Sequence, residues 1–203
     1  MPNNKNHPKS LLSKRVLQIA ILLVFSWLVV IGLFWGVAAY SLGHTQTMLL
    51  QIVANAVMLT GAVILGRQFR VTPVQFGKRK RWLGVFVLFA VVTLAVLGGK
   101  RGLTDVLVVS GLFFWTATSE EVLFRHYMYE LIGSLTQRFT TQVTANSLLF
   151  ALFHLPVAVM TGYWWVLATS FAFGVFATVL RRLTSGIGWP FLAHLFVDIV
   201  SEL

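Results

Sequence analysis

The 25 residues from 16 to 40 contain no charged side chain. A helix needs about 20 apolar residues to cross a bilayer core. In lipid every backbone N–H and C=O must also be satisfied inside the fold. This run therefore reads as a transmembrane helix. It exceeds the apolar core of a secretory signal, about 7–15 residues. Comparable runs are expected at 47–66, 82–98, 105–132, 141–160, 163–180 and from 187 onward. The expected fold is all-α, a polytopic membrane bundle of about seven transmembrane helices. Three stretches organise the chain: a basic cytoplasmic tail at 1–15, N-terminal transmembrane helices at 16–100, and a helical core at 101–203 that carries the polar motifs. Charged residues make up 11% of the chain, whereas about a quarter is usual for soluble domains. Cysteine is absent, which excludes disulfides, a thiol nucleophile and a cysteine zinc site.

The sixteen Lys and Arg outnumber six Asp and Glu, giving a net charge of +10. Such a charge can serve nucleic acid, but these basic residues cluster at the ends of apolar runs: Lys14-Arg15, Lys78 to Arg81 and Arg181-Arg182. That placement sets orientation against lipid headgroups, so no nucleic acid is expected as a partner. The tail, the 67–81 linker, the Arg138 loop and Arg181-Arg182 are assigned to the cytoplasm, with the N-terminus inside. The 41–46 loop faces out, and Lys100-Arg101 then faces out against the rule. A turn is expected at 99–102. Trp82 and Trp189 fit an interfacial aromatic belt.

Three polar groups interrupt apolar helices: Glu120-Glu121 with Arg125, Phe150 with His154, and His194 with Asp198. An intramembrane charge costs at least about 2.5 kcal/mol per residue, so it persists only if paired, hydrated or used. Glu121 and Arg125 are four residues apart and share a helix face, as are His194 and Asp198. Glu120 is turned about 100° away from Glu121, free to point elsewhere. Counting rises of 1.5 Å per residue puts Glu120, His154 and His194 within roughly one helical turn of the same depth. A break at Ser119 would defeat this convergence. One carboxylate with two imidazoles suits water activation and proton transfer, in a cavity that admits water. Ser119 carries no mark of a nucleophile.

Glu-Glu-x-x-x-Arg, Phe-x-x-x-His and His-x-x-x-Asp, each in its own apolar helix, resemble the CPBP intramembrane proteases, also called the CAAX-protease and bacteriocin-processing or Abi family. The resemblance covers about 106–201. It implies an intramembrane endopeptidase acting on a membrane-associated protein or peptide. Glu120 then activates water with His154, Glu121 and Arg125 support the site, and Phe150 packs the His154 helix. His194 and Asp198 stabilise the oxyanion or bind metal. Eukaryotic relatives cleave prenylated C-terminal tails and carry Asn where Asp198 stands. The short chain looks more like a bacterial plasma-membrane member, with roles in bacteriocin self-immunity or peptide maturation. The family name implies Zn2+, for which His154, His194 and Asp198 are the candidate ligands. A metal-free route stays open and is slightly favoured. The alternatives are a non-catalytic scaffold or bacteriocin immunity factor, and a proton-coupled transporter. Glu121-Arg125 taken alone reads as a structural ion pair, His126 and Tyr127 as structural, and Gln51, Asn55 and Asn146 as interhelical polar contacts. Gly174 fits close helix packing.

Overall fold

The computed structural model describes residues 8–77, 81, 83–88, 90–92 and 103–201. The expected turn at 99–102, the pair Lys100-Arg101 and Trp82 lie outside them. The described chain is helical and contains no strand among the described residues. The helices are α1 (Pro8–Tyr40), α2 (His44–Gln68), α3 (Leu83–Val92), α4 (Leu103–Glu120), α5 (Tyr129–Gly133), α6 (Phe139–Phe153), α7 (Leu155–Thr161), α8 (Trp165–Thr184) and α9 (Gly188–Ser201). A π-helix, Glu121–Met128, joins α4 to α5 without a break. The span therefore runs through Ser119 rather than stopping there.

Among the described residues, five helical segments are long and apolar enough to cross a membrane: Leu12–Tyr40, His44–Gln68, Val106–Gly133, Phe139–Thr161 and Trp165–Thr184. The chain is a multi-pass membrane protein. Two shorter apolar helices, α3 and α9, complete the set of seven. The 14 residues of α9 rise about 21 Å at 1.5 Å per residue, short of a hydrocarbon core of about 30 Å. Large apolar side chains such as Leu17, Leu28, Trp35, Val53 and Leu107 stand exposed on the outer faces of α1, α2 and α4. In lipid those faces are solvated by acyl chains.

Two apolar clusters hold the bundle. The larger gathers Leu22, Met58, Phe124, Met128, Phe150 and Ile187 from α1, α2, the π-helix, α6 and the 185–187 turn. The smaller joins Val106 and Ala117 to Leu192, Leu195 and Ile199, with Trp189 packed against it. Trp189 is half-buried, with one side against this cluster. Helices α6 and α8 lie against each other over much of their length. Gly174 permits this, because a Cβ there would lie 2.9 Å from Ser147 Cα. Small residues of this kind let transmembrane backbones approach.

One end of the bundle collects the basic segments. Arg15 at the start of α1 donates to Phe69 O. The 69–77 linker is fastened to the turn after α8 by Ile187 N–H to Gln75 O at 2.9 Å and Gly188 N–H to Phe76 O at 3.2 Å. A Cβ on Gly186 would overlap the Gly77 backbone there. His126 Nε2 meets Thr72 O at 2.7 Å and so donates to it. Arg15, the 69–77 linker and the turn after Arg181-Arg182 therefore meet at one end of the molecule, while Lys78 to Lys80 lie outside the described residues.

Gly174→Ala is expected to lower stability by about 1–3 kcal/mol, because the added methyl must force α6 and α8 apart. The measurement is the unfolding midpoint of the purified protein in detergent. Gly32→Ala, where nothing lies within 4 Å of the added carbon, should leave the midpoint unchanged.

Candidate active site

Glu120 ends α4 and Glu121 opens the π-helix, all eight residues of which are buried. A π-helix appears mainly at functional positions because its i→i+5 bonds are poorer than those of an α-helix. Here side chains from neighbours bond its carbonyls. Asn146 Nδ2 donates to Phe124 O at 2.8 Å, and Arg181 Nε donates to Arg125 O at 3.0 Å. Asn146 Oδ1 in turn accepts from Thr178 Oγ1 at 3.0 Å and from Arg125 at 3.4 Å. One asparagine thus joins the π-helix, α6 and α8.

The Glu121 and Arg125 side chains are both wholly inaccessible, with Arg125 Nε 3.5 Å from Glu121 Oε2. The guanidinium also lies over the Phe150 ring, 4.3 Å from its centroid. The other Glu121 oxygen, Oε1, accepts from His194 Nδ1 at 2.9 Å. A carboxylate can only accept, so the proton sits on Nδ1. His194 Nε2 is therefore the nitrogen turned to the rest of the site. It lies 3.7 Å from Glu120 Oε2 and 3.8 Å from Asp198 Oδ1.

His154 sits at the joint between α6 and α7. Its N–H bonds to Ala151 O, one residue short of the α-helical partner. This frees Phe150 O, which accepts from His154 Nδ1 at 2.9 Å. A carbonyl cannot donate, so this tautomer is fixed as well. Its Nε2 lies 4.0 Å from Glu120 Oε2. Pro156, two residues on, has no N–H to give Leu152 O. Trp27 Nε1 of α1 supplies the missing donor at 2.9 Å. Phe150 packs edge-on against His154, with ring centroids 4.9 Å apart, and also faces His194 at 6.0 Å.

The structure thus brings together Glu120, Glu121, Arg125, Phe150, His154, His194 and Asp198. Glu120 Oε2 is buried and accepts no hydrogen bond from the chain, yet both imidazole Nε2 atoms face it. A cavity of about 300 Å³ opens beside it. Glu120, His154 and Asp198 form its polar edge, and Val29, Leu33, Phe34 and Phe113 belong to its apolar wall. Asn55 also lines it. It donates to Thr116 Oγ1 at 3.0 Å and accepts from Ser119 Oγ at 2.8 Å, clamping α2 to α4 one residue before Glu120. Ser119 is engaged in that clamp. His194 and Asp198 are the near pair in the trio named as zinc ligands. Among the described residues, no three His, Asp or Glu side chains group so as to hold a metal ion, and the zinc trio does not converge.

A family model, type II CAAX prenyl endopeptidase Rce1-like, matches residues 82–200. The chain belongs to that family. No curated protein and no solved structure matches it. The Rce1-like family is the CPBP family that the three motifs resemble. Membership points to intramembrane protease activity on a peptide substrate. The match leaves out α1 and α2, which supply Trp27, Asn55 and much of the apolar wall. Trp27 was legible only indirectly. It stands in mid-span rather than at a span end, and Pro156 leaves a carbonyl at 152 in need of a donor. Phe173, 4.8 Å from His194 between ring centroids, carries no comparable signal.

Removing one partner of a buried ion pair strands the other charge. Arg125→Met should therefore cost about 3–5 kcal/mol. The double variant Arg125→Met with Glu121→Gln should recover part of that loss. Denaturant unfolding in detergent, read for both proteins, checks this coupling.

Proposed function

We propose that this chain is an intramembrane endopeptidase in which Glu120, with His154, activates water to hydrolyse a peptide bond. The observation that carries this reading is the approach of two imidazole Nε2 atoms, each ring held through its Nδ1, to one buried carboxylate oxygen. The 4.0 Å between His154 Nε2 and Glu120 Oε2 is too long for a hydrogen bond. A water donating to both atoms at about 2.8 Å would hold them about 4.4 Å apart. The gap thus has the size of one bridging water.

The steps follow from these positions. The water oxygen attacks the scissile carbonyl carbon while its proton passes to Glu120. His154, held by Phe150 O, orients the water through Nε2. The carbonyl oxygen becomes an oxyanion, to which His194, protonated on both nitrogens, donates from Nε2. Glu121, braced by Arg125, and Asp198 steady that imidazole. Collapse breaks the C–N bond, and the proton held by Glu120 passes to the leaving amine. The cavity beside Glu120 suits an apolar segment of a membrane-associated protein or peptide, and the family's prenyl endopeptidases favour a lipidated tail. We place the basic end in the cytoplasm of a bacterial plasma membrane, following the bias of Lys and Arg. Peptide maturation and bacteriocin self-immunity are the roles to which such cleavage would contribute.

Glu120→Gln and His154→Ala should each lower cleavage by about 10²–10⁴-fold with the protein still folded. Comparing membrane peptides between cells carrying wild type and Glu120→Gln identifies the substrate, whose cleavage the purified proteins then report. Cleavage retained in both variants would reject the mechanism. A phenotype retained without cleavage would make the chain a scaffold or immunity factor. Incubation with 1,10-phenanthroline should leave the wild-type rate within about twofold, since general acid–base chemistry of this kind requires no metal. A large loss, restored by Zn2+, would assign His194 and its neighbours to a metal instead.

A further inference from the structure

A second polar cavity lies at the basic end of the bundle, away from Glu120. It encloses about 530 Å³ between the end of α5, the start of α6 and the end of α8. Its walls include Tyr129, Glu130, Gln142, Arg181 and Arg182. Arg181 is fixed on two sides, by Nε to Arg125 O at 3.0 Å and by NH2 to Glu130 Oε1 at 3.3 Å. Its guanidinium also faces the Tyr129 ring at 5.3 Å. Arg182 faces the Phe139 ring at 5.9 Å.

Two buried polar atoms in these walls lack partners. Tyr129 is 7% exposed and Gln142 4% exposed, and neither Tyr129 Oη nor Gln142 Oε1 makes a hydrogen bond. Leaving such an atom unsatisfied costs about 1–3 kcal/mol. The hydroxyl can donate, while the amide oxygen can only accept. A ligand that offers an acceptor near Tyr129 and a donor near Gln142 would complete both. The two arginines against one carboxylate leave a net positive charge, so the acceptor is an anion. Glu130 provides a second acceptor for hydroxyl groups and opposes a bare multivalent phosphate.

We propose that this cavity binds a glycerol phosphate ester, carried by an anionic phospholipid or free in solution. The phosphodiester oxygens face Arg181, Arg182 and Tyr129, and the glycerol hydroxyls face Gln142 and Glu130. A choline headgroup has the phosphate but no hydroxyl to donate. Basic pockets between transmembrane helices at this depth suit anionic headgroups. The occupant would rest on Arg181, which bonds the π-helix behind the catalytic carboxylates. The assignment stands apart from the proteolytic reading and is tested by binding.

The full chain in detergent is titrated with phosphatidylglycerol, with phosphatidylcholine of the same acyl chains, and with glycerol 3-phosphate, each read by native mass spectrometry. A one-to-one adduct should form with phosphatidylglycerol at about tenfold lower concentration than with phosphatidylcholine. Arg182→Gln combined with Tyr129→Phe should reduce that preference to about twofold or less. Those two substitutions leave the Arg181 contacts in place, so folding is retained. If glycerol 3-phosphate forms the adduct at equal concentration and the lipid adds nothing, the site takes a soluble ester. Absence of both the lipid preference and the soluble adduct overturns the proposal. So does a preference that survives the paired substitutions unchanged.

Discussion

Glu121 shares its two oxygens between Arg125 and His194, and the rest of the site depends on that arrangement. Ionised groups in a hydrocarbon slab are tolerated only when they compensate one another. Glu121 cancels the guanidinium with one oxygen and fixes an imidazole with the other. It therefore joins the π-helix to α9 by an interaction that cannot be moved to another residue without stranding a charge. The aromatic rings of Phe150 and Phe173 shield the cation from lipid. Glu120, one residue earlier, is left with no such bond and stays available.

The same logic explains the irregular backbone. Phe124 O accepts both from Tyr129 N–H along the helix and from Asn146 Nδ2 of α6, and Arg125 O accepts from Arg181 Nε of α8, so side chains from two helices brace the π-helix. A regular helix through 154 would leave Phe150 O to its own ladder and let the His154 ring turn. At 154 the departure frees Phe150 O for the His154 ring, and at 121–128 side chains of α6 and α8 add bonds to helix carbonyls. Irregular backbone inside a membrane is acceptable under that condition. The departures are found where orientation matters for chemistry.

Much of this was legible before any coordinates. The long uncharged runs define a helical membrane fold. The four-residue spacings of Glu121 with Arg125 and His194 with Asp198 correspond to contacts that the structure contains. Depth arithmetic along separate spans was enough to place Glu120, His154 and His194 together. The π-helix was not legible, because residues 121–128 carry an ordinary helical pattern and its register depends on donors from α6 and α8. The tautomers were not legible either, since they follow from which carbonyl or carboxylate each Nδ1 meets. Trp189 reads as an interfacial residue by position alone, but packs against the smaller cluster because α9 is short and lies against α4.

The cavity beside Glu120 is assembled from two sources. Its polar edge of Glu120, His154 and Asp198 comes from the segment that the family model matches, while Val29, Leu33, Phe34 and Asn55 come from helices outside that match. The matched segment also contributes Phe113 and Val157 to the apolar wall, so the two sources meet within one lining. A family match confined to 82–200 thus spans the charged rim of this chamber and only a share of its greasy lining, and the remainder depends on how the first two helices dock.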